Sequence, residues 1–277
     1  MADNHLLDKI EPNIVVVAKS GGDFDDIQTA INSVQASYDV STTPVTIFIK
    51  NGVYELEPTS TQFPYACINK DANKVSIIGE SKDGVILRVT NTSTAQNKIL
   101  DVGGDCVIEN LTLECLNDGT FTSDTDLQHN CYCLHNDKGF TTDTSYNTII
   151  RNCKFYSECN APIGAGLQNN QTQIYENVET ISNSALSQGS LYVHGPGNAS
   201  TTNCSVIINN CNCQALDGKK ALTLPDVPGS LQYTDIDTTI QRTICYSNGT
   251  NIIDNNFKTT HKLTNMSALN HISDLNK

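Results

Sequence analysis

Tryptophan is missing from this chain, methionine occurs twice, and aromatic residues together make up only 6%. A core built on large rings is excluded, so the buried volume has to come from aliphatic residues and cysteine. Cations are scarce as well: 17 Lys and Arg face 30 Asp and Glu, a net charge of −13. Nucleic acid and anionic membranes need clustered positive charge, so neither is expected as a partner. No run approaches the ~18 apolar residues of a membrane-spanning helix. The opening MADNHLLDKIEPN lacks a basic stretch followed by an apolar one, which argues against a secretory signal. Eleven cysteines, an odd number, are then expected as reduced thiols from a cytosolic synthesis and not as a disulfide framework.

What is present is a repeat. VIENL (107–111), IIRNC (149–153), IYENV (174–178), IINNC (207–211) and IIDNN (252–256) share apolar residues followed by a polar one and asparagine. Asn110, Asn152, Asn177, Asn210 and Asn255 are separated by 42, 25, 33 and 45 residues. A constant motif at unequal spacing predicts coils with loops of unequal length. Strands stacked ~4.8 Å apart would let buried asparagine amides bond to one another in a ladder, and asparagine tolerates the left-handed backbone of a tight corner.

A second strand set precedes the first: KILDV (98–102), YCLHN (132–136), GAGLQ (164–168), LYVHG (191–195) and ALTLP (221–225). At least two strands per coil, about five coils and no crossover helices predict a right-handed parallel β-helix. Cys153 and Cys211 share one column as small buried apolar groups. In GDFDDIQTAINSV (22–34), Phe24, Ile27, Ile31 and Val34 keep helical spacing, with Asp23 as the expected N-cap. This short helix, near 24–35, would cover the open edge of the first coil. The organisation expected is an N-terminal arm over 1–13, one β-helix domain over 14–258, and a C-terminal cap or tail over 259–277. Leu263, Met266, Leu269, Ile272 and Leu275 recur every third residue; they are read as a capping helix, with a strip for an oligomer partner as the alternative.

VVVAKSGGDFDDIQTAINSV, VTIFIKNGVYEL and KVSIIGESKDGVIL resemble the opening of the pectinesterase and pectate-lyase-like family, the pectin lyase fold. The resemblance covers residues 14–89 by motif and 98–257 by coil pattern. It implies a groove that faces a polysaccharide. The pectinesterase branch works through two aspartates, an arginine and glutamines, but its Asp-Phe-Ile-Phe-Gly strand and Arg-Pro-Trp segment have no counterpart here, so no catalytic residue carries over. Family members are usually exported. A glycan-facing β-helix without an export signal points to a bacteriophage tail component, a resemblance of architecture to tail appendages and tailspikes. Such a protein would be made in the bacterial cytoplasm, end in the virion tail, and partner other tail subunits.

The stretch CYCLHND (131–137) decides where to look for a site. Its two cysteines are not spaced as a zinc knuckle, and neither metal nor cofactor is expected. Aligning the second strand set on Leu100, Leu134, Leu167, Val193 and Leu222 places Asp101, His135, Gln168, His194 and Thr223 in one outward column. Asp137 flanks it, with His129 and Asp126 nearby, and Tyr192 offers a sugar-stacking ring. A carboxylate beside an imidazole orients it for binding or proton transfer. Three readings follow: receptor recognition of a host glycan by a tail protein, an esterase, lyase or glycoside hydrolase on the same groove, or a purely structural tail piece. A glycosidase pair could come from Asp101, Asp126, Asp137 and Asp217.

Overall fold

The computed structural model describes residues 13–56, 65–69, 74–91, 97–117, 132–138, 145–184, 189–194, 201–216, 220–223, 233–248, 253–254, 261–263 and 270–271. Within them the chain forms three parallel sheets of nine, eight and seven strands. From Val45–Ile49 onward, each strand pairs with the third strand further along the chain. One turn of the chain therefore visits all three sheets and returns one strand higher. The result is the expected right-handed parallel β-helix, with three strands per coil where at least two were expected.

One complete coil shows the construction. Tyr146–Arg151 lies in the first sheet, a two-residue corner leads to Lys154–Ser157 in the second, and Ile163–Gly166 follows in the third. Alternate residues point inward, so every coil adds one apolar residue to each interior column. In the first sheet the register stacks Ile47, Ile77, Ile108, Ile150, Tyr175, Ile208 and Ile240 directly above one another. None of the seven exceeds 1% exposure. The third sheet does the same with Leu100, Leu134, Ile163, Leu191 and Leu222. β-Branched residues suit such columns because their restricted rotamers pack on the pleated surface.

The corner between the first two sheets is where asparagine is required. Asn110, Asn152, Asn177 and Asn210 all have positive φ, between 52° and 57°, a conformation that costs most other side chains about 1–2 kcal/mol. Their amides stack: Asn177 Nδ2 donates to Asn152 Oδ1 at 2.6 Å, and Asn210 Nδ2 to Asn177 Oδ1 at 3.1 Å. Asn152 Nδ2 donates in turn to Glu109 Oε1 at 3.3 Å. The ladder lies on the surface, half-buried to exposed, not in the interior as expected, because the left-handed corner turns the side chain away from the core. The fifth position of the column belongs to Arg242, with φ 48°. Asn255 lies outside the described residues, and Ile253–Asp254 just before it pairs with Leu222–Thr223 in the third sheet.

The entry helix spans Ile27–Ser37, with Ile27, Ala30, Ile31 and Val34 buried. Its N-cap is Asp26, whose side chain accepts from the Thr29 N–H at 2.6 Å. Asp23, expected in that role, instead accepts from the Val16 N–H at 2.8 Å. At the other end His261–Leu263 pairs with the first sheet and Asn270–His271 with the second. The sheets thus continue into a region expected to hold a cap or tail; Met266, Leu269, Ile272 and Leu275 lie outside the described residues.

Replacing Asn177 tests the corner. Leucine there loses both ladder bonds and takes on left-handed strain, an expected loss of about 2–4 kcal/mol in denaturant titration. Asn177→Gly keeps the backbone relaxed and should cost less; equal losses would show that the backbone conformation contributes nothing.

The nine described cysteines are all buried and none is in a disulfide. Burial pushes the thiols of Cys153, Cys204 and Cys211 each up to about 12, from an ordinary 9.0. A raised thiol keeps its proton in the folded state, so the stabilisation is whole below pH 9 and is lost as pH climbs toward 12. Each thiol accounts for about 1.4 kcal/mol per pH unit in that window. The thermal midpoint should fall above pH 9, and Cys211→Ala should fall less steeply.

Candidate functional site

The outer face of the third sheet carries the densest set of polar and aromatic side chains with chemistry to offer. Its register runs Asp101, His135, Gly164, Tyr192, Thr223 across five successive coils. Two residues on, His194 is in register with Gly166. Asp101, His135 and Thr223 therefore hold the places expected of them. Gln168 does not: the strand is Ile163–Gly166, and Gln168 sits in the turn beyond it, where its carbonyl accepts from the Gln171 N–H at 3.3 Å. Leu167 was the wrong anchor, since Ile163 is the residue paired with Leu134. His194 lies two residues beyond the column position, which Tyr192 holds, and a slip of two residues keeps a side chain on the same face.

The glycine coil brings the histidines together. Gly164 and Gly166 leave a trough one coil wide, and the rings of His135 and His194 extend into it from either side. Their Nε2 atoms are 3.2 Å apart and their ring centroids 5.3 Å, with planes inclined at 19°. Nitrogens this close at that centroid separation mean that the rings meet edge to edge. A Cβ at Gly164 would lie 2.5 Å from His135 Cδ2 and 2.9 Å from the Tyr132 ring, so only glycine leaves the trough open.

Each ring also has an aromatic neighbour. Tyr132 lies 4.8 Å from His135, and Tyr192 lies 5.0 Å from His194. Behind His135, Asp101 Oδ1 stands 3.8 Å from Nδ1. Asp101 is 2% exposed and His135 7%, so both lie deeper than the open groove positions expected. His194, Tyr132 and Tyr192 are half-buried and form the accessible edge. One of the two Nε2 atoms donates to the other, and the tautomers of the two rings set which one does. Asp137 belongs to the same strand, but its side chain lies outside the described set, as do Asp126, His129 and Asp217.

A buried amide network holds the trough in place from the inside. Gln173 Nε2 donates to the Gly166 carbonyl at 2.6 Å and to Gln171 Oε1 at 2.8 Å. Gln171 Nε2 reaches Thr148 Oγ1 at 2.9 Å and Asn136 Oδ1 at 3.3 Å. The Tyr175 hydroxyl donates to Gln173 Oε1 at 2.9 Å, and burial pushes its phenol above the ordinary range. Hydrogen bonds linked in a low-dielectric interior are strong, and these hold the strand on which the two rings rest. Tyr132 and the two glycines escaped the sequence reading; the signal was the alternating Gly-Ala-Gly of 164–166.

A second concavity, of about 610 Å³, lies along the asparagine corner beside Glu109, Arg151, Asn152, Glu176, Asn177 and Arg242. Its cations are engaged: Arg151 Nη2 pairs with Glu109 Oε2 at 2.7 Å, and Arg242 Nη2 donates to the neutral amide oxygen Asn209 Oδ1 at 3.0 Å. The hydrogen bond to Glu109 raises the Arg151 guanidinium pKa. Such a surface ties coils together but presents no group held ready for proton transfer, and the third sheet is the better candidate.

Neither a protein-family profile nor a curated protein sequence matches the chain. Among solved structures it is similar to a pectin methylesterase mutant in complex with a hexasaccharide, with 17% identity, TM-score 0.48, and coverage of 91% of this chain and 70% of that one. The Yersinia enterocolitica pectin methylesterase gives 16%, 0.47, 80% and 70%, and PemA of Erwinia chrysanthemi 14%, 0.42, 85% and 79%. At such identities the site has to be argued from this chain's own residues.

Gly164→Ala should displace His135 and part the two rings. The expected reading is loss of the shared N–H···N signal in imidazole NMR, with an overpacking cost of about 1–3 kcal/mol. An unchanged signal would mean that the glycine is not what brings the rings together.

Proposed function

We propose that the chain acts on a polysaccharide laid across the outer face of the third sheet, cleaving an ester substituent with Asp101, His135 and His194 as a proton relay. The observation that carries this reading is the 3.2 Å contact between the two histidines with Asp101 behind one of them. Water gives a proton to Nδ1 of His194, the Nε2 proton of His194 passes to Nε2 of His135, and the resulting imidazolium lies beside the Asp101 carboxylate. The hydroxide adds to the ester carbonyl, the adduct breaks its bond to the alkoxide, and the alkoxide takes the proton back from the relay to leave as alcohol. Tyr132 and Tyr192 offer ring faces against which the C–H face of a pyranose packs. The reading favours ester over glycosidic chemistry because a glycosidase needs two carboxylates. Asp101 is sealed under His135 and is not open to serve as one of such a pair. The net charge of −13 favours a neutral glycan over a polyuronate.

The test is a panel of esterified polysaccharides assayed for released acid or alcohol and for new reducing ends. His135→Ala and His194→Ala should each lower ester turnover on the order of 10²-fold or more while circular dichroism stays that of the parent. New reducing ends without ester loss, or full turnover in both variants, would overturn the assignment.

A second reading, glycan recognition by a virion tail protein assembled in a bacterial cytoplasm, is favoured by the nine buried cysteines held as thiols and not as disulfides. Saturable glycan binding that depends on Tyr192 and His194, with no turnover across the panel, would select it.

A further inference from the structure

We propose that His135 and His194 together hold one divalent transition-metal ion between their Nε2 atoms, with Asp101 as the outer partner of His135. Two imidazole nitrogens bound at about 2.0–2.1 Å to one tetrahedral zinc-like ion lie about 3.3 Å from each other. The observed separation is 3.2 Å. The ring planes differ by only 19°, and once His194 carries its proton on Nδ1 instead, both Nε2 atoms present a lone pair beside the glycines. No ligand has to be recruited from a distance, and a shift of a few tenths of an ångström admits the ion.

The surroundings fit such an ion. A metal-bound imidazole ordinarily turns its other nitrogen to a carboxylate, which fixes the tautomer and strengthens the ligand. Asp101 Oδ1 stands 3.8 Å from His135 Nδ1 in a pocket where the carboxylate is 2% exposed. Gly164 and Gly166 keep the floor free of side chains, so the ligands come from coils on either side of an empty strand. Among the described residues no cluster of three or more ligating side chains occurs. The two imidazoles would supply two positions of such an ion, and water or an oxygen of a bound molecule would complete its shell. Imidazole ligands select zinc, cobalt, nickel or copper over calcium or magnesium.

The inference rests on ring geometry and not on the ester-cleaving reading, so the two fail separately: an ion bound without turnover leaves this one standing, and turnover by chelator-treated protein leaves the other. The full chain, freed of metal by chelator, is titrated with Co²⁺ by visible absorption and with Zn²⁺ by calorimetry. One equivalent should bind saturably, with the intense visible bands of four- or five-coordinate cobalt. His135→Ala and His194→Ala should each abolish that site, and Asp101→Asn should weaken it by about 10–100-fold. In the unsubstituted protein, Co²⁺ should shift the imidazole signals of these two rings before those of any other histidine, which guards against variants that fold poorly. No saturable equivalent, or binding that both alanine variants retain, overturns the proposal.

Discussion

Everything in this molecule follows from stacking parallel strands in register at a rise of ~4.8 Å. Whatever one coil places at a position, the next must tolerate directly above it. Apolar groups satisfy that condition by repetition, as the isoleucine column does. Amides satisfy it because each is donor and acceptor at once, so a stack of asparagines closes its own hydrogen bonds. Charges satisfy it only by alternation. Glu55, Arg88 and Glu114 follow one another on the second sheet, with Arg88 contacts of 3.2 and 2.7 Å. Glu109, Arg151 and Glu176 do the same at the asparagine corner. Each such pair is part-exposed and contributes no more than about 1 kcal/mol, yet like charges in those columns would oppose every coil they touched.

The third sheet departs from this rule at one coil, and the candidate site is the departure. Two glycines interrupt the outward column, and the side chains on either side fill the gap. The histidines therefore meet across a distance that direct stacking would not give them. A glycine strand on its own would be weakly held, with little side chain to pack. The buried amides of Gln171 and Gln173 offset that weakness by gripping the strand through the Gly166 carbonyl. Polar groups in the core and bare backbone on the surface are two halves of one arrangement.

The parts of this plan visible in the sequence are those that repeat. The left-handed corner needs asparagine, so its motif stands out at four coils; it fails at the fifth because Arg242 adopts the same conformation without sharing the motif. The places of Asp101, His135 and Thr223 were legible because Leu100, Leu134 and Leu222 are true interior anchors. Gln168 was misplaced because Ile163–Gly166 is buried on both faces and offers no alternation by which to set its register. The second strand of each coil went unseen for a related reason: it follows the corner after two residues and is only four residues long in this region, too short to show a period. The meeting of His135 with His194 required knowing that the intervening coil has no side chains outward, which is a fact about three strands and not about any one of them.

A β-helix lengthens or shortens by whole coils, since each added turn reproduces the same columns and the same caps. Over most of this chain such a change would leave every interior contact replaced by an equivalent one. The coil that holds Gly164 and Gly166 is different. Without it, His135 and His194 would collide; with two such coils, they would part by a further strand spacing and lose touch. The number of turns between these rings is therefore fixed at one, and a lineage of this protein can vary its length at either end of the stack but not across this point.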